Sequence, residues 1–226
     1  MFLGPGGVGR AAGAEPPAPV LLELFTSEGC SSCPPADALL SELAAEPGVI
    51  ALELHVDYWD RLGWKDPFSQ AVFSERQARY QTALGRSGVY TPQIVVNGAV
   101  EGVGSDRARI ASLRAAAPKA ASPVTVVVER AGDRIEIQAS APGAPAGSDL
   151  LVAVAEADLA TDVPRGENAG RRLAHGAVVR RLAGVPASGK LSIPVEPGWH
   201  PGKLSIVAIL QAPHTGRILG LGRAKL

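Results

Sequence analysis

This 226-residue chain has few cysteines, few aromatics and no excess of either charge. Lys plus Arg and Asp plus Glu balance at 22 each, which excludes a chain built mainly to grip nucleic acid or an acidic membrane. No run reaches the roughly 18 apolar residues of a membrane-crossing helix, so a helical span is excluded. Two cysteines cannot make a disulfide framework. Apolar residues, by contrast, make up 46%, with 26 Gly and 19 Pro, the composition of a globular, turn-rich protein. This length buries a core in one large domain or two small ones.

The scarce residues are unevenly spread. Eight of the ten aromatics lie between Phe25 and Tyr90, leaving Phe2 before them and Trp199 after. Residues 1–118 carry a net charge of −4 and residues 119–226 one of +4. These shifts predict a flexible arm over 1–19, a first domain over 20–118 and a second over 119–226. In the arm, Ala12-Gly13-Ala14 before Glu15 has the small-residue pattern of a signal-peptide end, which predicts an exported bacterial protein. A plain Gly/Pro/Ala arm on a cytosolic protein is the alternative.

Val20–Thr26 reads as a strand buried on both faces and Val49–Val56 as a second strand, with a helix over 36–45 between them. That order is a parallel βαβ unit. A helix over about 69–84 follows, then a strand at Gln93–Val96 turning at Asn97-Gly98 into Val100–Val103, and a helix over about 106–117 capped by Ser105. Beyond Pro123 the apolar period changes to two, in VTVVVER, DRIEIQAS, DLLVAVAEA, KLSIPVE and LSIVAILQ. The expected fold class is therefore an α/β thioredoxin-like domain followed by an all-β, antiparallel, sandwich-like part.

Cys30 and Cys33 form Cys-Ser-Ser-Cys between the first strand and the first helix. A cysteine at a helix N-terminus has its thiolate favoured by unpaired N–H groups and the macrodipole, and a second one turn away can resolve a mixed disulfide. A redox pair, an inert structural disulfide and half of a metal site all fit. The histidines lack zinc-finger spacing, so no metal is assigned; a Cu(I) carrier using both thiolates and His55 is the metal-binding alternative. Thr91-Pro92 opens a strand, where a cis bond would let the Thr91 backbone orient an extended substrate. Tyr58, Trp59 and Trp64 follow the second strand's C-terminal end and are expected to rim the cysteines, or to form a small satellite core. Arg165, Asn168 and Arg171 lie in RGENAGRR, a turn-rich segment that suits an anion clamp or a solvated loop.

The C-x-x-C and Thr-Pro pair resembles the thioredoxin superfamily. More closely, FTSEGCSSCPPAD, HVDYWDRLGWKDPF, YTPQIVVNG and RGENAGRRL resemble the DUF1223 family of bacterial proteins from about Val20 to Leu226. The resemblance implies a fold and a cysteine pair, with no substrate. Thioredoxins resemble one another in a buried aspartate where this chain has Leu24, which leaves Glu23 and Asp57 as candidate proton relays, with a solvated or arginine-paired Glu23 the alternative. The expectation is thiol–disulfide exchange on extended protein or small disulfide substrates, with the redox-active disulfide in place of a cofactor and a disulfide-bearing protein as partner. A non-enzymatic binding module is the alternative.

Overall fold

The computed structural model describes residues 18–186 and 189–226. The expected arm and its Ala12-Gly13-Ala14 lie almost wholly outside the described residues.

β1 (Val20–Thr26) and β2 (Val49–His55) pair in parallel around α1 (Pro34–Ala44). Both strands are buried and mostly apolar because both faces are covered. Leu22, Leu24, Val49 and Ala51 meet Leu39, Leu40 and Leu43 of α1, while Leu21, Phe25, Ile50, Leu52 and Leu54 face the opposite layer with Phe73 and Tyr80 of α2 (Ala71–Ala83). β3 (Gln93–Val96) runs antiparallel to β1 and turns through Asn97 and Gly98, both at positive φ, into β4 (Val100–Val103). α3 (Arg107–Ala116) is capped by Asp106, whose carboxylate accepts from Arg109 N–H, one residue later than the expected Ser105 cap.

The second half overturns the expected fold class. Its strands are β5 (Thr125–Ala131), β6 (Arg134–Ser140), β7 (Asp149–Glu156), β8 (Leu159–Val163), β9 (Arg171–His175), β10 (Val178–Gly184), β11 (Lys190–Pro194), β12 (Leu204–Gln211) and β13 (Ile218–Lys225). Four of them join the strands of the first half in one eight-stranded mixed sheet, ordered β13-β12-β7-β10-β2-β1-β3-β4. The chain is thus dominated by one large mixed sheet, not an α/β thioredoxin-like domain followed by an all-β sandwich. The reason lies in β2. Buried on both faces, it cannot serve as a solvated edge; Glu53 N–H donates to Ala177 O at 2.8 Å, and β10 pairs beside it in register Val178↔Glu53. Among the described residues β11-β6-β5 form a second layer, with Ile135, Ile137 and Ile193 packed on Val152, Val154 and Ile206 of the large sheet. The β8–β9 hairpin stands apart and carries the loop that reaches the cysteines.

Candidate functional site

Cys30 and Cys33 form a disulfide at the head of α1, where Cys33 occupies the N-cap position and Pro34 and Pro35 follow in the first turn. Proline is tolerated there because its missing N–H would be unpaired anyway. The Ser32 hydroxyl lies 3.4 Å from Cys30 Sγ. Ser31 and Ser32 are exposed, yet Cys30 is only 1% exposed and Cys33 0%.

The cover comes from the β8–β9 loop. Asn168, wholly buried, donates from Nδ2 to the carbonyls of Glu28 and Cys30, both at 2.9 Å, and its Oδ1 accepts from Arg171 Nη1. Glu167 accepts the Ser31 N–H at 2.9 Å, and the Ser31 N–H and hydroxyl hold its carboxyl below the usual value. Gly166 lies against Trp64, where an added Cβ would come within 3.0 Å of the Trp64 Cβ.

Beneath the disulfide loop is a buried polar cluster of Glu28, Asp37, Glu53, His55, Asp66 and His175. Glu53 and His55 share the α1 face of β2 because strand side chains alternate. His175 arrives from the β9–β10 corner, which Gly176 N–H anchors to Glu53 Oε1 at 3.0 Å. An added Cβ on Gly176 would meet Ser41 Oγ of α1 at 2.4 Å, so this corner admits only glycine. His55 Nδ1 pairs with Asp66 Oδ2 at 2.7 Å and His175 Nε2 with Glu28 Oε1 at 3.2 Å. Trp64 Nε1 donates to the other Glu28 oxygen at 2.8 Å. Burial opposes an imidazolium at both rings, but Asp66 lifts His55 well above its ordinary value, and hydrogen bonds to Glu28 and Glu53 lift His175. Burial first, then the charge of Glu53, pushes the Asp37 carboxyl up to about 7. Asp37 lies one turn past Cys33 and accepts from the Thr26 hydroxyl.

With this geometry in view, the comparisons decide the family. The family model described as a protein of unknown function, DUF1223, matches residues 21–211. The chain belongs to the DUF1223 family. A solved structural-genomics target from Agrobacterium tumefaciens is 32% identical, with a TM-score of 0.66 over 93% of this chain and 95% of that one. HBP35 of Porphyromonas gingivalis is 15% identical, with a TM-score of 0.62 over 94% of this chain and 76% of its own, a likeness of fold alone. The comparison with curated proteins yields no match.

The expected site residues of this DUF1223 chain beyond the cysteines fall into four groups. Thr91–Pro92 is cis and lies beside the cysteine helix, since an added Cβ on Gly104 would touch both Ala36 of α1 and Pro92; Trp59 Nε1 donates to the Thr91 hydroxyl at 2.9 Å. Tyr58, Trp59 and Trp64 are half-buried; Tyr58 donates to Gln77 at 3.2 Å. The two relay candidates are tied elsewhere. Glu23 takes Arg76 Nε and the Tyr80 hydroxyl at 2.5 Å each on the α2 side of the sheet, and Asp57 accepts from Ser74. Of the expected anion clamp, Asn168 and Arg171 Nη1 take part in the cover of the disulfide, and Arg165 is exposed outside it. Sequence reasoning missed Asp37, Glu28, Glu53, Asp66 and His175. The one available signal was alternation, since polar Glu53 and His55 interrupt the α1 face of an otherwise apolar strand. Among the described residues no helix is long and apolar enough to cross a membrane.

Proposed function

We propose that this protein is a thiol–disulfide oxidoreductase of an exported, oxidising compartment, acting through Cys30 and Cys33. The observation that carries the reading is the disulfide at the N-terminal end of α1, with exposed Ser31 and Ser32 between its two cysteines. A substrate thiolate attacks Cys30 Sγ, the Cys30–Cys33 bond breaks, and Cys33 leaves as a thiolate. A second substrate thiolate then attacks the mixed disulfide and releases Cys30. The substrate dithiol loses two electrons and becomes a disulfide, and the protein pair gains them; the reverse sequence reduces a substrate. The helix terminus favours either thiolate, and the Ser32 hydroxyl can donate to that of Cys30. A closed disulfide and the Ala12-Gly13-Ala14 pattern support the compartment.

Burial of both sulfurs favours a second reading, an interaction module whose disulfide only braces the α1 terminus. Equilibration with glutathione redox buffers separates the two. An exchange pair has a potential in the range of about −270 to −120 mV, whereas one below about −300 mV leaves the structural reading standing. Cys33→Ser should accumulate mixed disulfides through Cys30 when mixed with an oxidised peptide; their absence would count against exchange.

A further inference from the structure

Three buried polar atoms converge beneath the disulfide loop with no hydrogen-bond partner: Glu53 Oε2, His55 Nε2 and His175 Nδ1. Glu53 Oε2 lies 3.9 Å from His55 Nε2 and 3.4 Å from His175 Nδ1, and the three fall within 4.8 Å of one another. All three side chains are 0% exposed. Orphaned polar atoms are costly in a dry interior, and three pointing at one spot share a cause.

The outer partners show which cause. Asp66 holds His55 by Nδ1 and Glu28 holds His175 by Nε2, so a ring that carries a single N–H spends it on a carboxylate and turns its lone pair inward. Glu53 Oε1 is occupied by Gly176 N–H, which leaves Oε2 facing the two rings. Three acceptors then face one another with no donor among them. Two added ring protons would relieve the repulsion, but both would have to converge on one carboxylate oxygen, and neither contact meets hydrogen-bond geometry. One divalent cation brings the same two positive charges and satisfies all three atoms. The charge count agrees, since three buried carboxyls, Glu28, Glu53 and Asp66, surround only two histidines, with the Asp37 carboxyl beside them.

We propose that Glu53, His55 and His175 form a buried binding site for a divalent first-row transition-metal ion of the zinc type. Two imidazoles and a carboxylate suit zinc or iron(II), whereas calcium and magnesium take oxygen donors. Ligands about 2.0–2.1 Å from a tetrahedral ion lie about 3.3–3.4 Å apart, the separation Glu53 and His175 already have. Carboxylates holding the outer nitrogens of both ligating rings are the support such sites use to fix ring orientation. The edge of Phe68 closes one side, with its ring centroid 5.3 Å from His55 and 5.6 Å from His175. This site uses neither sulfur, so it stands or falls apart from the exchange reading.

The test is metal content of the full chain expressed in zinc-supplemented medium and desalted. Wild type should retain about one zinc per chain, and so should Cys30→Ser/Cys33→Ser. His175→Gln should lose at least nine-tenths of it, and Asp66→Asn should weaken zinc affinity about 10–100-fold. Anomalous diffraction from wild-type crystals at the zinc edge gives an answer even where a variant fails to fold, with a peak expected between Glu53, His55 and His175. Wild type without zinc, equal content in His175→Gln, zinc that departs with the cysteines, or a water without anomalous signal at that spot would each overturn the proposal.

Discussion

Arg76 shows how far one side chain can organise this chain. It is buried, with its guanidinium held by Glu23, Tyr80 and Gln211 in a strand-to-helix network. Removing it leaves the Glu23 carboxylate buried without a counter-charge, so Arg76→Ala should lose about 3–5 kcal/mol in urea unfolding. Arg76→Met combined with Glu23→Leu should recover most of that loss, because an apolar pair has no unpaired charge to desolvate. Ser32 acts at the same scale but on reactivity. Its hydroxyl is placed to donate to a Cys30 thiolate, and hydrogen bonds to charged groups contribute about 1.5–3 kcal/mol when well shielded. Because Ser32 is exposed, Ser32→Ala should raise the Cys30 pKa of the reduced protein by at most about one unit. Iodoacetamide alkylation rates against pH would measure it.

The β8–β9 loop is the element that decides access to the disulfide. Asn168 ties it to the Glu28 and Cys30 carbonyls, and Glu167 ties it to Ser31. Asn168→Ala should therefore speed reduction by a phosphine, while global stability falls by no more than about 1–3 kcal/mol for the lost buried hydrogen bonds. An unchanged rate would mean that the loop does not gate the sulfurs. Glu167 adds a pH dependence of known sign. Its folded pKa lies below the ordinary glutamate value of 4.5, so its contribution is complete above that value and is lost as pH falls through the folded pKa. Wild type should be reduced more slowly than Glu167→Gln at about pH 6, and the two rates should converge as pH falls through the folded pKa of Glu167.

At the scale of the whole molecule, the large sheet draws on both ends of the chain. β10 covers the edge of β2, and β7, β12 and β13 continue the sheet beyond it. A fragment spanning 18–123 would expose VIALELH as an unpaired apolar edge, the kind of strand that recruits other chains. It should elute as aggregate or oligomer in size-exclusion chromatography, and a cooperatively folding monomer would show that the two halves are less coupled than the strand pairing implies. The same continuity brings His175 from the second half over Glu53 and His55 of the first.

Local signals carried much of this through the sequence alone. Apolar runs marked β1 and β2, Pro34-Pro35 before Leu39, Leu40 and Leu43 marked α1, Asn97-Gly98 marked the turn into β4, and Cys-Ser-Ser-Cys marked the cysteine pair. Each depends on residues a few positions apart, whose conformational preferences act before any tertiary contact forms. Which strands share a sheet was not legible in that way. The period-two pattern of DLLVAVAEA and LSIVAILQ fits a separate sandwich as well as an extension of the first sheet, because alternation reports two faces and not the neighbour along the edge. RGENAGRR reads as a solvated polar loop because its turn residues say nothing of the Glu28 and Cys30 carbonyls that Asn168 reaches. His55 and His175 lack linear ligand spacing, and only the pairing of β10 with β2 sets their free nitrogens against the same Glu53 oxygen. Short-range sterics and periodicity are written in the chain; long-range register, and with it the buried polar cluster, is decided when the sheet closes.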